Sequence, residues 1–224
     1  MQTKSKVSLI RYTPDPALIA GIGAAVCTKW EGDPLIALKG AVSCGHDSVV
    51  EHASFTFLIE GVSRALLGQL TRHRLASFSV ESQRYVSYED GFEYVIPPKV
   101  EALGEEAVER FESQMNTMHS WYISWRDMLG GGESAQEDAR FVLPTATSTR
   151  ILMTMNVREL KHFFSMRTCN RAQWEIRIVA DEMLRQCKKV APELFGNCGP
   201  GCVTGSCPEG KKSCGMKRGR DEWA

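Results

Sequence analysis

Between Arg72 and Tyr85 the chain reads Arg-His-Arg-Leu-Ala-Ser-Phe-Ser-Val-Glu-Ser-Gln-Arg-Tyr, a run that sets three arginines, one histidine and three serines close together. Guanidinium groups bind phosphate through paired N–H donors and stay charged at any working pH, while hydroxyls and backbone N–H groups complete an oxygen shell. The run is therefore a candidate anion site, although an exposed basic loop would have the same composition. A second group lies downstream: Arg140, Asn156, Arg158, His162, Arg167 and Arg171. If the two groups converge, they describe a pocket for two phosphorylated ligands. Ser82 is a poor nucleophile, because its neighbours Glu81 and Arg84 supply no convincing base. It reads better as a ligand for phosphate or pyrimidine.

The charge balance sharpens this reading. Twenty-seven Lys and Arg face twenty-seven Asp and Glu, so the arginine clusters are not a by-product of a basic protein. Zero net charge also supplies no global field for a nucleic-acid backbone or an anionic membrane, and neither partner is expected. With 43% hydrophobic and 24% charged residues, the chain is an ordinary globular protein of 224 residues.

Regular elements must position these groups. Residues 7 to 12 read as a strand ended by Pro14-Asp15-Pro16, and the apolar run 17 to 26 is too short to span a bilayer. Residues 49 to 60 alternate, with Ala53, Phe55, Phe57 and Ile59 on one face of a half-buried strand. Ser63 then caps a helix carrying Leu66, Leu67 and Leu70, whose end delivers Arg72-His73-Arg74. Residues 105 to 129 form the longest helix, with Phe111, Met115, Met118, Tyr122, Trp125 and Leu129 expected as its core stripe, and three glycines stop it. A short helix over 134 to 141, a strand over 147 to 155 and helices over 157 to 166 and 171 to 190 follow. Strands and helices are interspersed without regular alternation, which predicts an α+β fold with a mixed sheet and flanking helices. After Pro192 the composition turns to Gly, Pro, Lys and Cys, so residues 1 to 195 read as the domain and 196 to 224 as a tail.

Three patterns carry competing chemistry. Gly21-Ile-Gly23-Ala-Ala-Val26 begins like a dinucleotide fingerprint, but Val26 stands where the third glycine belongs. His46-Asp47 with His52 and His73 suggests a metal-dependent phosphohydrolase, yet the nearby arginines would repel a divalent cation. Cys198, Cys202, Cys207 and Cys214 are dense enough for a zinc-stapled tail, although no paired knuckle is present, and no metal is assigned to the main site. The other cysteines are scattered singly and read as reduced thiols, Cys169 among them, which suits a cytoplasmic protein.

Arg72-His73-Arg74 followed by seven residues and Ser82 resembles the signature of the flavin-dependent thymidylate synthases. The likeness extends to Gly45-His46-Asp47-Ser48-Val49-Val50-Glu51-His52 and, downstream, to the segment 140 to 144, Asn156-Val157-Arg158, Arg167 and Ala172-Gln173-Trp174-Glu175. It implies a thymidylate synthase-complementing protein-like fold and the reductive methylation of dUMP to dTMP. It also implies FAD as cofactor, methylenetetrahydrofolate as carbon donor and NADPH as reductant. Ser48, Arg72, His73, Arg74, Asn156, Arg158 and His162 are assigned by it to FAD. Gln69, Arg72, Ser82, Gln83, Arg84 and Arg140 fall to dUMP, with Arg167 beside the pyrimidine as the catalytic cation and His46 near flavin and folate. Many members carry Asn-Glu where this chain has Ser79-Val80, which leaves Glu81 as a candidate replacement for the lost carboxylate. The resemblance further implies a homotetramer with sites shared between chains.

Overall fold

A computed structural model describes residues 1–223. Four strands, β1 (Lys6–Tyr12), β2 (Ser54–Ser63), β3 (Ala76–Val80) and β4 (Ser148–Asn156), form one antiparallel sheet in the order β1-β2-β4-β3. The parallel pairing of the expected mixed sheet is limited to a bridge between Gln2 and Tyr94, outside these strands. The helices are α1 (Pro16–Thr28), α2 (Pro34–Ser43), α3 (Arg64–Leu70), α4 (Pro98–Glu101), α5 (Glu105–Met128), α6 (Gly132–Ala139), α7 (Val157–Arg167), α8 (Trp174–Val190), α9 (Pro192–Phe195) and α10 (Gly201–Thr204). None of the described helices is long and apolar enough to cross a membrane.

The chain divides into two units. The first comprises Met1–Lys6, Ile59–Gln69 and Ser79–Ile151. Its core joins Tyr88, Phe92, Tyr94 and Ile96 to Met115 and Tyr122 of α5 and to Ala139 of α6. Tyr88 lies edge-on to Tyr122 at 6.0 Å, and His119 bonds the Tyr88 carbonyl at 2.7 Å. The stripe expected on α5 is only half right: Met115 and Tyr122 are buried, whereas Trp125 and Leu129 are exposed. The facing rings of the 88–96 segment reach Tyr122 and leave the last turn of the helix uncovered. Ser63 caps α3 as predicted, its Oγ accepting from the Leu66 N–H at 3.1 Å.

The second unit comprises Val7–Leu58, Leu70–Phe78 and the chain from Leu152 onward. An aromatic column runs through it: Tyr12 stacks on Phe55, Phe55 meets Phe195 edge-on at 5.3 Å, and Phe195 meets Phe164 of α7. Ile176, Ala180, Met183 and Cys187 of α8 are fully buried, while Val190 at the end of the stripe is only partly covered. Residues 49 to 52, expected as strand, belong instead to a 3-10 helix, Asp47–His52, and the strand begins at Ser54. Alternation is clean only from Ala53 onward, because Val49 and Val50 are both buried. The cysteine-rich segment is folded onto this unit, with Val203 and Trp223 buried.

The glycine pair of the supposed dinucleotide fingerprint lies inside α1, not in a strand-to-helix turn. A Cβ on Gly21 would stand 2.4 Å from the Pro34 carbonyl oxygen of α2, and one on Gly23 would stand 3.1 Å from the His52 ring. These glycines let elements approach closely and cradle no pyrophosphate. Helix propensity alone favours Ala over Gly by about 1 kcal/mol, so the sign of a substitution reads the contact. Gly21→Ala is expected to lower the Tm, by about 1–3 kcal/mol of overpacking, whereas Gly40→Ala in α2, with nothing within 4 Å, raises it. A thermal melt of both variants decides, and a stabilised Gly21→Ala would refute the tight contact.

Candidate functional site

In the second unit the Arg72-His73-Arg74 segment alternates in exposure. Arg72 and Arg74 face solvent, and His73 between them is buried. The His73 Nδ1 lies 2.9 Å from Glu159 Oε1, and its Nε2 accepts from the Arg167 Nε at 3.1 Å. Because an arginine can only donate, Nε2 must be the unprotonated nitrogen and Nδ1 carries the hydrogen given to Glu159. Burial pushes the imidazole below the ordinary histidine pKa, outweighing the upward pull of Glu159, while Arg167 and His162 press it lower still. His73 is thus a neutral strut between a buried carboxylate and a half-buried guanidinium. Burial first, and then Arg72, lowers the Arg167 pKa, and the guanidinium remains a cation.

Helix α7 supplies the rest of this set. Asn156 is its N-cap, with Oδ1 accepting from the Glu159 N–H at 2.9 Å, which leaves the side-chain NH2 for a ligand. Arg158 and His162 follow one turn apart, and the His162 ring lies 5.8 Å from that of His73. Arg167 is the last helical residue, one position further into the helix than expected. Two ion pairs dock the 3-10 helix onto α7: Arg158 with Glu51, and Lys161 with Asp47 at 3.4 Å. They bring Ser48 and His46 to the same unit, where both line an apolar cavity of about 600 Å³ with Ala24, Trp30, Ile36 and Ala41.

The histidine and carboxylate set of the phosphohydrolase alternative does not assemble among the described residues. Asp47 is paired with Lys161, His52 packs over Gly23, and the one group of three possible ligands is His73, Glu159 and His162, within 4.8 Å of one another. There the Arg167 cation contacts His73, which opposes a divalent ion.

The first unit holds the remaining predicted residues. Arg84 pairs with the Glu137 carboxylate at 3.0 Å, and Arg140 donates from Nε to the Glu137 carbonyl at 3.0 Å, so one residue of α6 gathers both arginines. Ser82 shapes the turn before them, its Oγ accepting from the Arg84 N–H at 3.2 Å. Gln83 is partly exposed between them. Glu81 is fixed through its backbone, with its N–H on the Arg150 carbonyl at 2.9 Å and its carbonyl accepting from Arg64 at 2.7 Å. Its side chain lines a cavity of about 520 Å³ with Lys4, Lys6, Glu60 and Arg150, which Ser82 and Arg84 do not reach. Gln69 lies in α3.

The predicted residues therefore fall into two sets. Every residue assigned to flavin lies in the second unit, with Arg167 and His46, and the nucleotide set except Arg72 and Arg167 lies in the first. What sequence reasoning missed is the role of the carboxylates: Glu159 on the neutral His73, and Glu137, Glu51 and Asp47 on cations. For Glu159 a signal existed. It shares the apolar face of α7 with Leu160 and Phe163, a position where a carboxylate needs a buried partner.

Comparison with known proteins places the chain clearly. The family model described as thymidylate synthase complementing protein matches residues 8–193. The chain is similar to the flavin-dependent thymidylate synthase of Geobacter sulfurreducens, 49% identical over 94% of each chain. It is also similar to that of Clostridium tetani, 45% identical over 94% of this chain and 93% of the other. Among solved structures it resembles flavin-dependent thymidylate synthase ThyX from Helicobacter pylori complexed with FAD and dUMP, with TM-score 0.63, 25% identity and coverage of 87% and 99%. The fold is shared with a UMP/dUMP methylase, PolB from Streptomyces cacaoi, at TM-score 0.72 and 24% identity over 86% and 93% of the two chains.

The hydrogen-bond chain fixes a tautomer that can be measured. Nitrogen-15 NMR of labelled histidine is expected to show His73 as the Nδ1–H form, titrating below 6.5. Since the folded state resists protonation, its contribution to stability is complete above the unfolded histidine pKa and is lost as pH falls. Glu159→Leu strands the Nδ1–H and costs about 1–3 kcal/mol, whereas Glu159→Gln keeps an acceptor and costs less. An Nε2–H tautomer would contradict the arrangement.

Proposed function

The chain belongs to the thymidylate synthase complementing protein family, the flavin-dependent thymidylate synthases, and on that premise we propose that it converts dUMP to dTMP by reductive methylation. The single observation that supports this most is Arg167: a guanidinium oriented by a neutral histidine, in the unit that also gathers Arg72, Arg74, Arg158 and His162. The residues present suit a flavin dinucleotide. Exposed guanidinium groups and the Asn156 NH2 match phosphate oxygens, and the apolar cavity beside His46 and Ser48 suits ring surface. Ser48, Arg72, Arg74, Asn156, Arg158 and His162 would hold FAD, with His73, whose ring nitrogens are committed to Glu159 and Arg167, positioning the set from its buried side; reduced by NADPH, FAD would supply a hydride that no side chain can provide.

The residues of the chain supply orientation and charge. Transfer of a one-carbon unit from methylenetetrahydrofolate to C5 of the uracil ring requires electron density at that carbon. Arg167 beside the N3–C4 edge stabilises the negative charge that develops there, by the same logic as an oxyanion hole. His73 keeps the guanidinium plane from turning. Arg84 and Arg140 bind the nucleotide phosphate, helped by Ser82, Gln83, Gln69 and Arg72, and Glu81 remains the candidate for the carboxylate lost at position 80. His46 serves the flavin and folate side. A cytoplasmic location is supported by the substrates and by cysteines that read as reduced thiols. A homotetramer with shared sites is supported by the uncovered side chains on α5, where Trp121, Trp125 and Met128 are 54%, 48% and 71% exposed. Residues 1 to 195 form the catalytic domain in this reading, and 196 to 224 an appended segment.

Two measurements test it. The purified chain is expected to absorb near about 450 nm, to bleach with NADPH without oxygen, and to form dTMP from dUMP and methylenetetrahydrofolate. Colourless protein that takes up no added FAD would overturn the assignment. Arg167→Lys preserves a charge at the end of α7, worth about 0.3–1 kcal/mol as a helix cap, but loses the planar donor edge. It is expected to keep FAD, to lower the Tm only by the lost His73 hydrogen bond, about 1–3 kcal/mol, and to lose at least about tenfold in turnover, roughly 1.4 kcal/mol. Near-normal turnover would reduce Arg167 to a helix cap and a structural partner of His73.

A further inference from the structure

All eight cysteines are free thiols, and the fold sorts them in a way their spacing does not suggest. Cys27 and Cys44 line the apolar cavity beside His46. Cys187 is packed inside α8, and Cys198 points back to the Leu194 carbonyl at 3.7 Å, with burial pushing its thiol up to about 11. The remaining four share one place. Cys169 in the link between α7 and α8, together with Cys202 and Cys207 from the C-terminal segment, lines a cavity of about 390 Å³ that Arg167 also borders. The same three, with Cys214, line an adjoining cavity of about 270 Å³.

The C-terminal segment is held against this link by its own contacts. Arg218 donates to both Asp181 oxygens at 2.8 and 3.0 Å and to the Thr168 carbonyl at 2.7 Å, and its guanidinium lies 4.5 Å from the Trp223 ring centroid. Asn170 donates to the Met216 carbonyl at 3.2 Å, and Arg171 to that of Lys212. At Cys214 the backbone turns through Gly215 at φ 74, and the Met216 N–H donates to the Cys214 sulfur at 3.4 Å. The Cys214 sulfur in turn donates to the Met216 carbonyl at 3.4 Å, so this two-residue turn fixes the thiol at the cavity wall. Arg171, Lys217 and Arg218 line the same cavity.

We propose that Cys169, Cys202, Cys207 and Cys214 are the ligands of a structural zinc ion that staples the C-terminal segment beside Arg167. Four sulfur donors suit zinc in tetrahedral geometry, and Glu209, the carboxylate on the same wall, is paired with Arg171 at 3.7 Å. Binding releases four thiol protons to solvent and leaves a site of net charge −2 that the surrounding cations offset. Among the described residues no three of these sulfurs lie within 4.8 Å of one another, so the ion draws the walls together as it binds. The fourth ligand comes from residue 169, far away in sequence, and not from Cys198, which spacing alone would choose. The site is independent of the dTMP-forming chemistry, and its test does not require activity.

Elemental analysis of full-length protein expressed with zinc in the medium is expected to find about one zinc per chain. Cys169→Ser and Cys207→Ser should each lose it, whereas Cys198→Ser retains it with unchanged bound flavin. Metal-free protein titrated with Co2+ should show thiolate-to-cobalt charge-transfer bands and the red absorption of a tetrahedral site, which guards against variants that fail to fold. Protein that carries no zinc and develops no such bands overturns the proposal. So does zinc that survives both the Cys169 and Cys207 substitutions, which would place it elsewhere, or disulfides among these cysteines found by mass spectrometry in protein purified without added oxidant.

Discussion

A neutral histidine between a carboxylate and a guanidinium is the constraint on which the second unit turns. His73 is 5% exposed and Glu159 is 7% exposed, so neither polar group has water to fall back on. Each must be satisfied by the other, or its desolvation is uncompensated. That requirement fixes where the segment after α3 meets α7, and it fixes the edge of the imidazole offered to Arg167. The Phe163 ring packs edge-on against His73 at 5.0 Å and closes the remaining side. Arg72 and Arg74 flank it in solvent, Arg72 within the turn closed by the His73 N–H on the Leu70 carbonyl at 3.1 Å.

Cations in this protein are held by carboxylates before any ligand arrives. Arg158 with Glu51, Lys161 with Asp47 and Arg84 with Glu137 follow one plan, in which a nearby acid orients a basic side chain that would otherwise sample many rotamers. These pairs are partly exposed and add little to stability. Their effect is geometric: they dock the Asp47–His52 turn on α7 and bring Arg84 and Arg140 to the same short helix.

Local rules carried the fold reading a long way, and their failures have physical causes. The strand face of Ala53, Phe55, Phe57 and Ile59, the Ser63 cap and the span of α5 were legible because each depends on neighbours in sequence. Strand β3 was not, since its serines made Ala76–Val80 resemble a polar loop, and it pairs only with the distant β4. The glycines of α1 were ambiguous in sequence, because a close helix approach and a phosphate turn demand the same missing Cβ, and Val26 at the third position pointed away from the turn. Family resemblance supplied the cationic site residues, but their acidic partners could not be paired from one sequence, because Glu159 lies 86 positions from His73. Cys169 escaped for the same reason, separated from the cysteine-rich segment that it faces.

The contacts of Glu137 give the proposed nucleotide site a form of selectivity that shape alone would not provide. One residue takes a single donor from each of two arginines, through its carboxylate from Arg84 and through its carbonyl from Arg140, and leaves their other donors free. A nucleoside, carrying no charge, would gain little from two such cations, while a phosphate monoester could take the free donors of both. Weak as they are, the resting contacts act as a template that spaces two guanidinium groups for one anion.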